Sequence, residues 1–146
     1  DFVPEGTVPG GCIPSESWST MAADGLVARN DGGELLIDLD EDGDLRTGWV
    51  LQYLHLTDRV DEGESLKADD PVGRPACEGG SSVSTHLHIA RRYNGLWVDA
   101  GGPVPFELGG WKATGGFEYE GGMVGPEGEK RSACECREEE VNGLRW

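Results

Sequence analysis

Residues 84–90 carry the side chains most capable of chemistry, because they include two of the three histidines of the chain. These are His86 and His88, and the neighbouring Leu87 and Ile89 favour a β-strand. Successive side chains of a strand point to opposite faces, so the sequence predicts both histidines on one face. Such a pair can supply two ligands to one metal ion, or one ligand and a neighbouring general base. The alternative is the polar face of an exposed strand, since His-x-His alone is a weak signal.

The third histidine, His55, lies in a second strand-like segment, residues 48–56, which is rich in Trp, Val, Tyr and Leu. All three histidines therefore fall in predicted strands, and none falls in the acidic loops or the C-terminal part. A single histidine in a strand is usually a half-buried structural side chain. Three of them in the scaffold favour a shared site.

Glycine and charge set the class of the chain. It has 146 residues with 24 Gly, 8 Pro and a net charge of −16. Short hydrophobic runs between glycines and prolines predict an all-β protein with an antiparallel sheet or sandwich and Gly-rich loops. We find no sustained helical periodicity and no apolar run of transmembrane length. The negative charge argues against nucleic acid as a partner, because phosphate binding needs the opposite sign.

The turns divide the chain into predicted elements. Strands at 34–39 and 47–56 form a hairpin, residues 60–73 form strand, turn and strand, and a Gly/Ser-rich loop at 78–84 leads into the histidine strand. Asn94-Gly95 is the strongest hairpin signal. Beyond Trp111 the pattern loosens into an acidic extension with one further hairpin. We therefore expect a β-domain at 1–111 and a C-terminal extension at 112–146.

The four cysteines are Cys12, Cys77, Cys134 and Cys136. Their even number in a small β-rich chain predicts disulfides in an oxidising compartment, and three full pairings are possible. We prefer the pair Cys12–Cys77. A metal site at Cys134-x-Cys136 is less favoured, because no second cysteine pair stands at zinc-site spacing.

One turn has the spacing of a calcium loop, with carboxylates at every second position. The four residues are Asp38, Asp40, Asp42 and Asp44. Trp49 stands where an EF-hand loop has its bidentate Glu, which excludes a full EF-hand. An acidic hairpin turn with Asp42-Gly43 at its tip explains the same residues, so bound calcium is the alternative interpretation.

Four segments in order resemble the lysostaphin-like zinc endopeptidases of bacterial cell walls, the lysostaphin, LasA and LytM type. They are Ala23-Asp24-Gly25-Leu26-Val27, Tyr53-Leu54-His55-Leu56, residues 60–73 and Ser84-Thr85-His86-Leu87-His88-Ile89. Tyr-x-His-Leu and His-x-His, about thirty residues apart, are specific as a pair. Asp-Leu-Asp, Gly-Trp-Val-Leu and Cys-Glu-Gly-Gly resemble a secreted LasA-type branch. The resemblance covers residues 1 to about 111.

The resemblance implies a zinc ion held by an early His and Asp and by the second His of His-x-His. Asp1, followed by Phe2, matches the Asp, and His88 matches the second His. The early His is expected upstream of Asp1, outside this sequence. His55 and His86 resemble the unligated pair that takes the proton of a water and stabilises the tetrahedral intermediate. Tyr53 and Thr85, with Ser84, are expected to support that pair by hydrogen bonds.

The implied function is zinc-dependent hydrolysis of peptide cross-bridges of peptidoglycan by a secreted bacterial monomer that does not span a membrane. The alternative is an inactive relative that binds the cell wall or activates another hydrolase. Inactive relatives usually lose histidines, whereas this chain keeps all three. A carrier or sugar-phosphotransfer module of similar architecture would need a Lys at a hairpin tip, and Lys67 has the wrong neighbours.

Overall fold

The structure is a computed structural model that describes residues 1–116, 120–134, 136 and 138–144. The chain forms two compact units, Asp1–Trp97 and Val98–Trp146. Among the described residues, the regular elements are β-strands apart from one short helix, α1 (Glu139–Asn142). The all-β, antiparallel prediction is confirmed, and a domain boundary after residue 111 stays a prediction. No helix in this part of the chain is long and apolar enough to cross a bilayer.

A six-stranded antiparallel sheet forms the scaffold of the first unit. In spatial order its strands are β6 (Ser65–Leu66), β2 (Gly25–Asp31), β3 (Glu34–Asp38), β4 (Trp49–Leu54), β8 (His88–Tyr93) and β9 (Leu96–Trp97). The turn between β8 and β9 has positive φ at both Asn94 (49°) and Gly95 (76°), as a tight hairpin of this type requires. The predicted Asn-Gly hairpin is present.

A second, three-stranded sheet packs against the first. Its order is β1 (Ser19–Thr20), β7 (Pro71–Pro75) and β5 (Leu56–Thr57). Buried side chains of both sheets form one cluster: Val27, Leu35, Ile37, Leu51 and Tyr53 from the large sheet, with Met21, Leu56 and Val72 from the small sheet and its flank. Alternate residues of β3 and β4 point into this cluster, which fixes the register of the sandwich.

The second unit contains a four-stranded antiparallel sheet. Its strands are β10 (Glu107–Leu108), β11 (Trp111–Thr114), β12 (Gly122–Val124) and β13 (Lys130–Ser132). Trp111 is buried there, and the Arg131 guanidinium lies 5.7 Å from its ring centroid. The sequence predicted only one hairpin beyond Trp111, because these short glycine- and charge-rich strands lack the apolar alternation that identifies a strand.

Candidate active site

The N-terminal segment lies beside the histidine strand. Phe2 and Leu87 form an antiparallel bridge in which each backbone N–H donates to the other carbonyl over 2.8 Å. This pairing brings Asp1 to His88, with Oδ1 2.7 Å from the imidazole Nδ1. His86 Nε2 lies 3.8 Å from the same carboxylate oxygen. Both histidines thus approach one carboxylate from one face, as the spacing predicted.

His55 reaches the same place from the end of β4, where it interrupts the strand that the sequence predicted as continuous. Alternation would put it on the face of Tyr53, opposite Leu54 and its cross-strand partner His88. Its φ of 69° is left-handed, which costs a non-glycine residue about 1–2 kcal/mol, and it ends the alternation. The His55 ring centroid lies 4.4 Å from that of His86 and 6.4 Å from that of His88.

Backbone carbonyls fix the tautomers of His55 and His86. Nδ1 of His55 lies 3.1 Å from the carbonyl oxygen of Glu78 and 3.0 Å from that of Gly79. Nδ1 of His86 lies 2.8 Å from the carbonyl oxygen of Ser84. Carbonyl oxygens only accept hydrogen bonds, so Nδ1 carries the proton in both neutral rings. The lone pair of each neutral ring is therefore on Nε2, where it can accept a proton.

His88 differs from the other two, because its Nδ1 faces the carboxylate of Asp1 instead of a backbone carbonyl. Burial lowers the pKa of His88. Burial also lowers the pKa of His55, and the neighbouring His86 adds to this effect. Both rings are thus favoured in the neutral form, which is the form that binds metal ions and accepts protons.

Part of the sequence is similar to known proteases, and the fold is similar to that of a solved structure. Protease LasA of Pseudomonas aeruginosa strain PAO1 is 38% identical to the chain over 64 residues, covering 38% of the chain and 15% of LasA. LasA of strain UCBPP-PA14 gives the same values. The chain thus spans about 15% of the length of these curated relatives. A solved structure of pseudoalterin, described as a novel M23 metalloprotease from the deep sea, has the same fold. Its TM-score is 0.64 at 18% identity, over 86% of this chain and 75% of that one.

The sequence likeness to LasA and the fold shared with an M23 metalloprotease support an M23, lysostaphin-like type for this chain. No family model matches the sequence. The curated relatives are proteases and the structural neighbour is a metalloprotease, which supports a peptidase family for this chain. The resemblance drawn from the histidine motifs is confirmed at this level.

An M23-type protein implies a metal ion, and the donor atoms of this site allow a test of fit. Two ligand atoms of a tetrahedral zinc ion, each about 2.0–2.1 Å from the metal, lie about 3.3 Å apart. Asp1 Oδ1 and His88 Nδ1 are separated by 2.7 Å. A shift of well under 1 Å in one side chain would give the separation that zinc requires. The pair, one carboxylate oxygen and one imidazole nitrogen, therefore fits zinc.

Tyr53 and Thr85 do not have the supporting role that the sequence suggested. The Tyr53 hydroxyl accepts a hydrogen bond from the Ala22 N–H, and burial raises the pKa of Tyr53 to about 12. The Thr85 hydroxyl donates to the Ile13 carbonyl over 2.6 Å. Both side chains thus hold the scaffold around the M23-type site and do not bond to the histidines.

Cys12, which directly precedes Ile13, is disulfide-bonded. Cys12 pairs with Cys77, which confirms the preferred pairing, and Cys134 pairs with Cys136. The Cys12–Cys77 bridge joins the segment of Ile13, whose carbonyl accepts from Thr85, to the residue directly before Glu78. The carbonyls of Glu78 and Gly79 were missed by sequence reasoning, which took them only as part of a loop. The sequence does contain a signal for them, the Gly79-Gly80 pair directly after Cys77-Glu78.

The acidic turn is separate from the histidines. Carboxylate oxygens of Asp38, Asp40 and Asp42 lie within 4.8 Å of one another. Asp38 is buried and accepts from the Gly43 N–H over 2.7 Å, and its proximity raises the pKa of Asp40. Asp44 is held by Arg46, whose hydrogen bonds lower the pKa of Asp44 to about 2. Calcium binding by this turn stays an alternative prediction.

Proposed function

We propose that the chain carries the catalytic centre of a zinc-dependent endopeptidase that hydrolyses peptide cross-bridges of bacterial peptidoglycan. In this proposal Asp1 and His88 are metal ligands, and His55 and His86 are the acid–base pair. The site works outside the cytoplasm in a monomeric protein, where the disulfides persist.

The observation that supports the proposal best is the difference between the three imidazoles. His55 and His86 bind backbone carbonyls through Nδ1, which leaves Nε2 for proton transfer. His88 directs Nδ1 at the Asp1 carboxylate. In the proposed metal-bound form, Nδ1 of His88 and the Asp1 carboxylate would both face the ion, whereas Nε2 of His55 and His86 stays available for proton transfer. The rings of His86 and His88 lie 4.4 and 6.4 Å from the His55 ring by centroid.

The ion that fits Asp1 and His88 would lower the pKa of a water molecule and polarise the peptide carbonyl. His55 accepts the proton of the attacking water at Nε2, and its Nδ1–H bonds to two carbonyls keep the ring in place. His86 in its imidazolium form would donate its Nε2–H to the oxyanion of the tetrahedral intermediate and keep that proton. The leaving amine takes the proton that His55 received from the water. A third protein ligand is expected from the histidine upstream of Asp1.

The second candidate function is an inactive relative that binds the cell wall. Purified peptidoglycan distinguishes the two candidate functions when it is incubated with a version of the protein that is extended upstream through that histidine. Release of new amino groups in the presence of zinc would support the peptidase, provided that the release stops when zinc is chelated and is absent in His88→Ala. Mass spectrometry of the products identifies the bond. Sedimentation with the wall material but no new amino groups, with zinc bound, would contradict it.

A further inference from the structure

The acceptors of His55 lie in a part of the chain that the sheets do not fix. Glu78 and Gly79 follow β7 and precede the histidine strand, in a stretch without regular secondary structure. Yet both of their carbonyl oxygens converge on one nitrogen, at 3.1 and 3.0 Å. Backbone carbonyls of an irregular segment hold such a direction only where something else holds the segment.

The Cys12–Cys77 bridge holds the start of this segment, and Arg59 holds Glu78 itself. Its Nη1 donates to Glu78 Oε2 over 2.7 Å and to the carbonyl of Leu56, the residue after His55. Its Nε donates to Asn30 Oδ1 over 2.7 Å. The Arg59 side chain is 18% exposed and the Glu78 side chain is 49% exposed, so solvent screens their ion pair in part. One guanidinium thus joins the β2–β3 hairpin, the chain next to His55 and the residue that accepts from His55.

The Glu78 carboxylate is held in the charged form that Arg59 requires. A hydrogen bond from the Thr57 hydroxyl and the bond from Arg59 lower the pKa of Glu78. Thr57 lies in β5, two residues after His55. The side chain of Glu78 is therefore fixed from the same strand that follows His55, while its backbone carbonyl fixes the His55 ring.

A glycine of the β2–β3 hairpin also contacts Glu78. Gly33, at the tip of the β2–β3 hairpin, has φ +89°, and a Cβ there would overlap the backbone of Glu78. The Gly33 carbonyl also accepts from the Leu56 N–H over 3.1 Å. The neighbouring Gly32 has φ +53° and open space around its Cβ position. Only Gly33 is therefore required for the approach of the hairpin to Glu78.

We propose that Arg59 is a positioning residue that, through Glu78 and with the Gly33 contact, fixes the tautomer and direction of His55. Its catalytic consequence rests on the proposed function, whereas its effect on the ring does not. Without the bonds from Arg59, the carbonyls of Glu78 and Gly79 no longer point at Nδ1 of His55, and the ring then populates the Nε2–H tautomer. That tautomer has no lone pair on Nε2 to accept a proton. Turnover then falls about 10–100-fold, the range for partners that orient a site residue.

The test is ¹⁵N-edited NMR of the imidazoles in the zinc-free 146-residue chain, where the His55 signals are assigned by their loss in His55→Gln. Arg59→Gln is expected to change the His55 pattern from one Nδ1–H tautomer to a mixture. The matched control is Arg74→Gln. Arg74 forms an ion pair with Asp58 and donates through Nε to the Ser15 carbonyl, with a similarly covered side chain. It should leave the His55 pattern unchanged.

A second pair of variants protects the test against loss of folding in Arg59→Gln. Gly33→Ala and Gly32→Ala share the strain of a left-handed residue, but only Gly33→Ala overlaps Glu78. A mixed His55 tautomer in Gly33→Ala alone supports the proposal. A parent-like His55 spectrum in Gly33→Ala, or in a folded Arg59→Gln, overturns it.

Activity in the upstream-extended protein then measures the consequence. Arg59→Gln should lower kcat about 10–100-fold with KM unchanged, and Arg59→Lys should recover part of the loss because it keeps the charge beside Glu78. A changed tautomer in an extended parent that cleaves no peptide would reject the proposed function and leave the positioning role intact. An unchanged kcat in an active Arg59→Gln would overturn the catalytic part.

Discussion

The two ends of the β3–β4 hairpin carry different kinds of polar cluster. At one end, Asp1, His55, His86 and His88 come from three segments far apart in sequence. At the other, the acidic turn of residues 38–44 brings its carboxylates together within seven consecutive residues. The partners of the acidic turn are mostly local: Gly43 N–H for Asp38, and Arg46 for Asp44. Local turn geometry therefore accounts for the carboxylates, whereas only the tertiary fold brings the histidines together.

The largest effect on turnover is expected for substitutions of the proposed acid–base pair, His55 and His86. In the upstream-extended protein, His55→Ala and His86→Ala should each lower kcat by about two to four orders of magnitude, the range for acid–base groups. Both should keep one zinc ion per chain, measured by metal analysis after gel filtration. Replacing Asp42 by Asn, at the other end of the hairpin, is the control and should leave kcat unchanged. A turnover near that of the parent in His55→Ala would contradict the assigned role.

The disulfide next to the histidine end should contribute strongly to stability. Cys12 and Cys77 are separated by 65 residues, so the bridge restricts a long loop of the unfolded chain. The chain-entropy estimate for a loop of this length is about 4 kcal/mol. Cys12→Ser with Cys77→Ser should lower the free energy of unfolding by this order, measured in urea. The Cys134→Ser and Cys136→Ser double variant is the control, because its loop is far shorter. Equal losses in the two double variants would contradict the prediction.

A smaller effect concerns the pH dependence of stability. Burial lowers the pKa of His55 in the folded state, so the unfolded state binds the proton more tightly. The contribution of neutral His55 is present above the unfolded pKa of about 6.5 and is lost as pH falls from there through the folded value. The Tm of the zinc-free parent should therefore drop more between pH 7.5 and 5.5 than that of His55→Gln. Parallel curves would show that burial of His55 has no such cost.

The smallest effect is expected at the acidic turn. Asp40→Asn with Asp42→Asn should leave the Tm almost unchanged in calcium-free buffer, because an Asn-Gly tip is favourable in a hairpin. Calcium should then have no effect on the Tm of the parent. A calcium-dependent rise in the parent but not in the double variant would overturn the turn-only interpretation, because a ligand that binds the folded state raises its stability.

The sequence predicted the parts of the fold that follow from local pattern. Short hydrophobic runs rich in strand-forming residues identified β3 and β4, and Asn94-Gly95 identified the β8–β9 turn. It could not predict the left-handed residue at His55, because the partners of this residue come from a distant segment: its carbonyl accepts from the Ala76 N–H, and its ring contacts the carbonyls of Glu78 and Gly79. Tyr53 and Thr85 were misjudged for the same reason. Whether a strand hydroxyl faces a site or a backbone carbonyl depends on segments that pack against it.

The most direct test of the account is zinc affinity, measured by calorimetry with a competing chelator in the upstream-extended protein. His88→Ala should remove tight binding, because it takes away one of the protein ligands. His86→Ala, two residues away on the same face, should keep the affinity within about threefold of the parent. The 146-residue chain itself should bind zinc more than about 100-fold more weakly than the extended protein, since loss of an outer partner alone costs 10–100-fold. Comparable loss of zinc in His86→Ala and His88→Ala would contradict the division between ligand and acid–base histidines. Equal affinity of the two chain lengths would contradict the assignment of Asp1 with an upstream ligand.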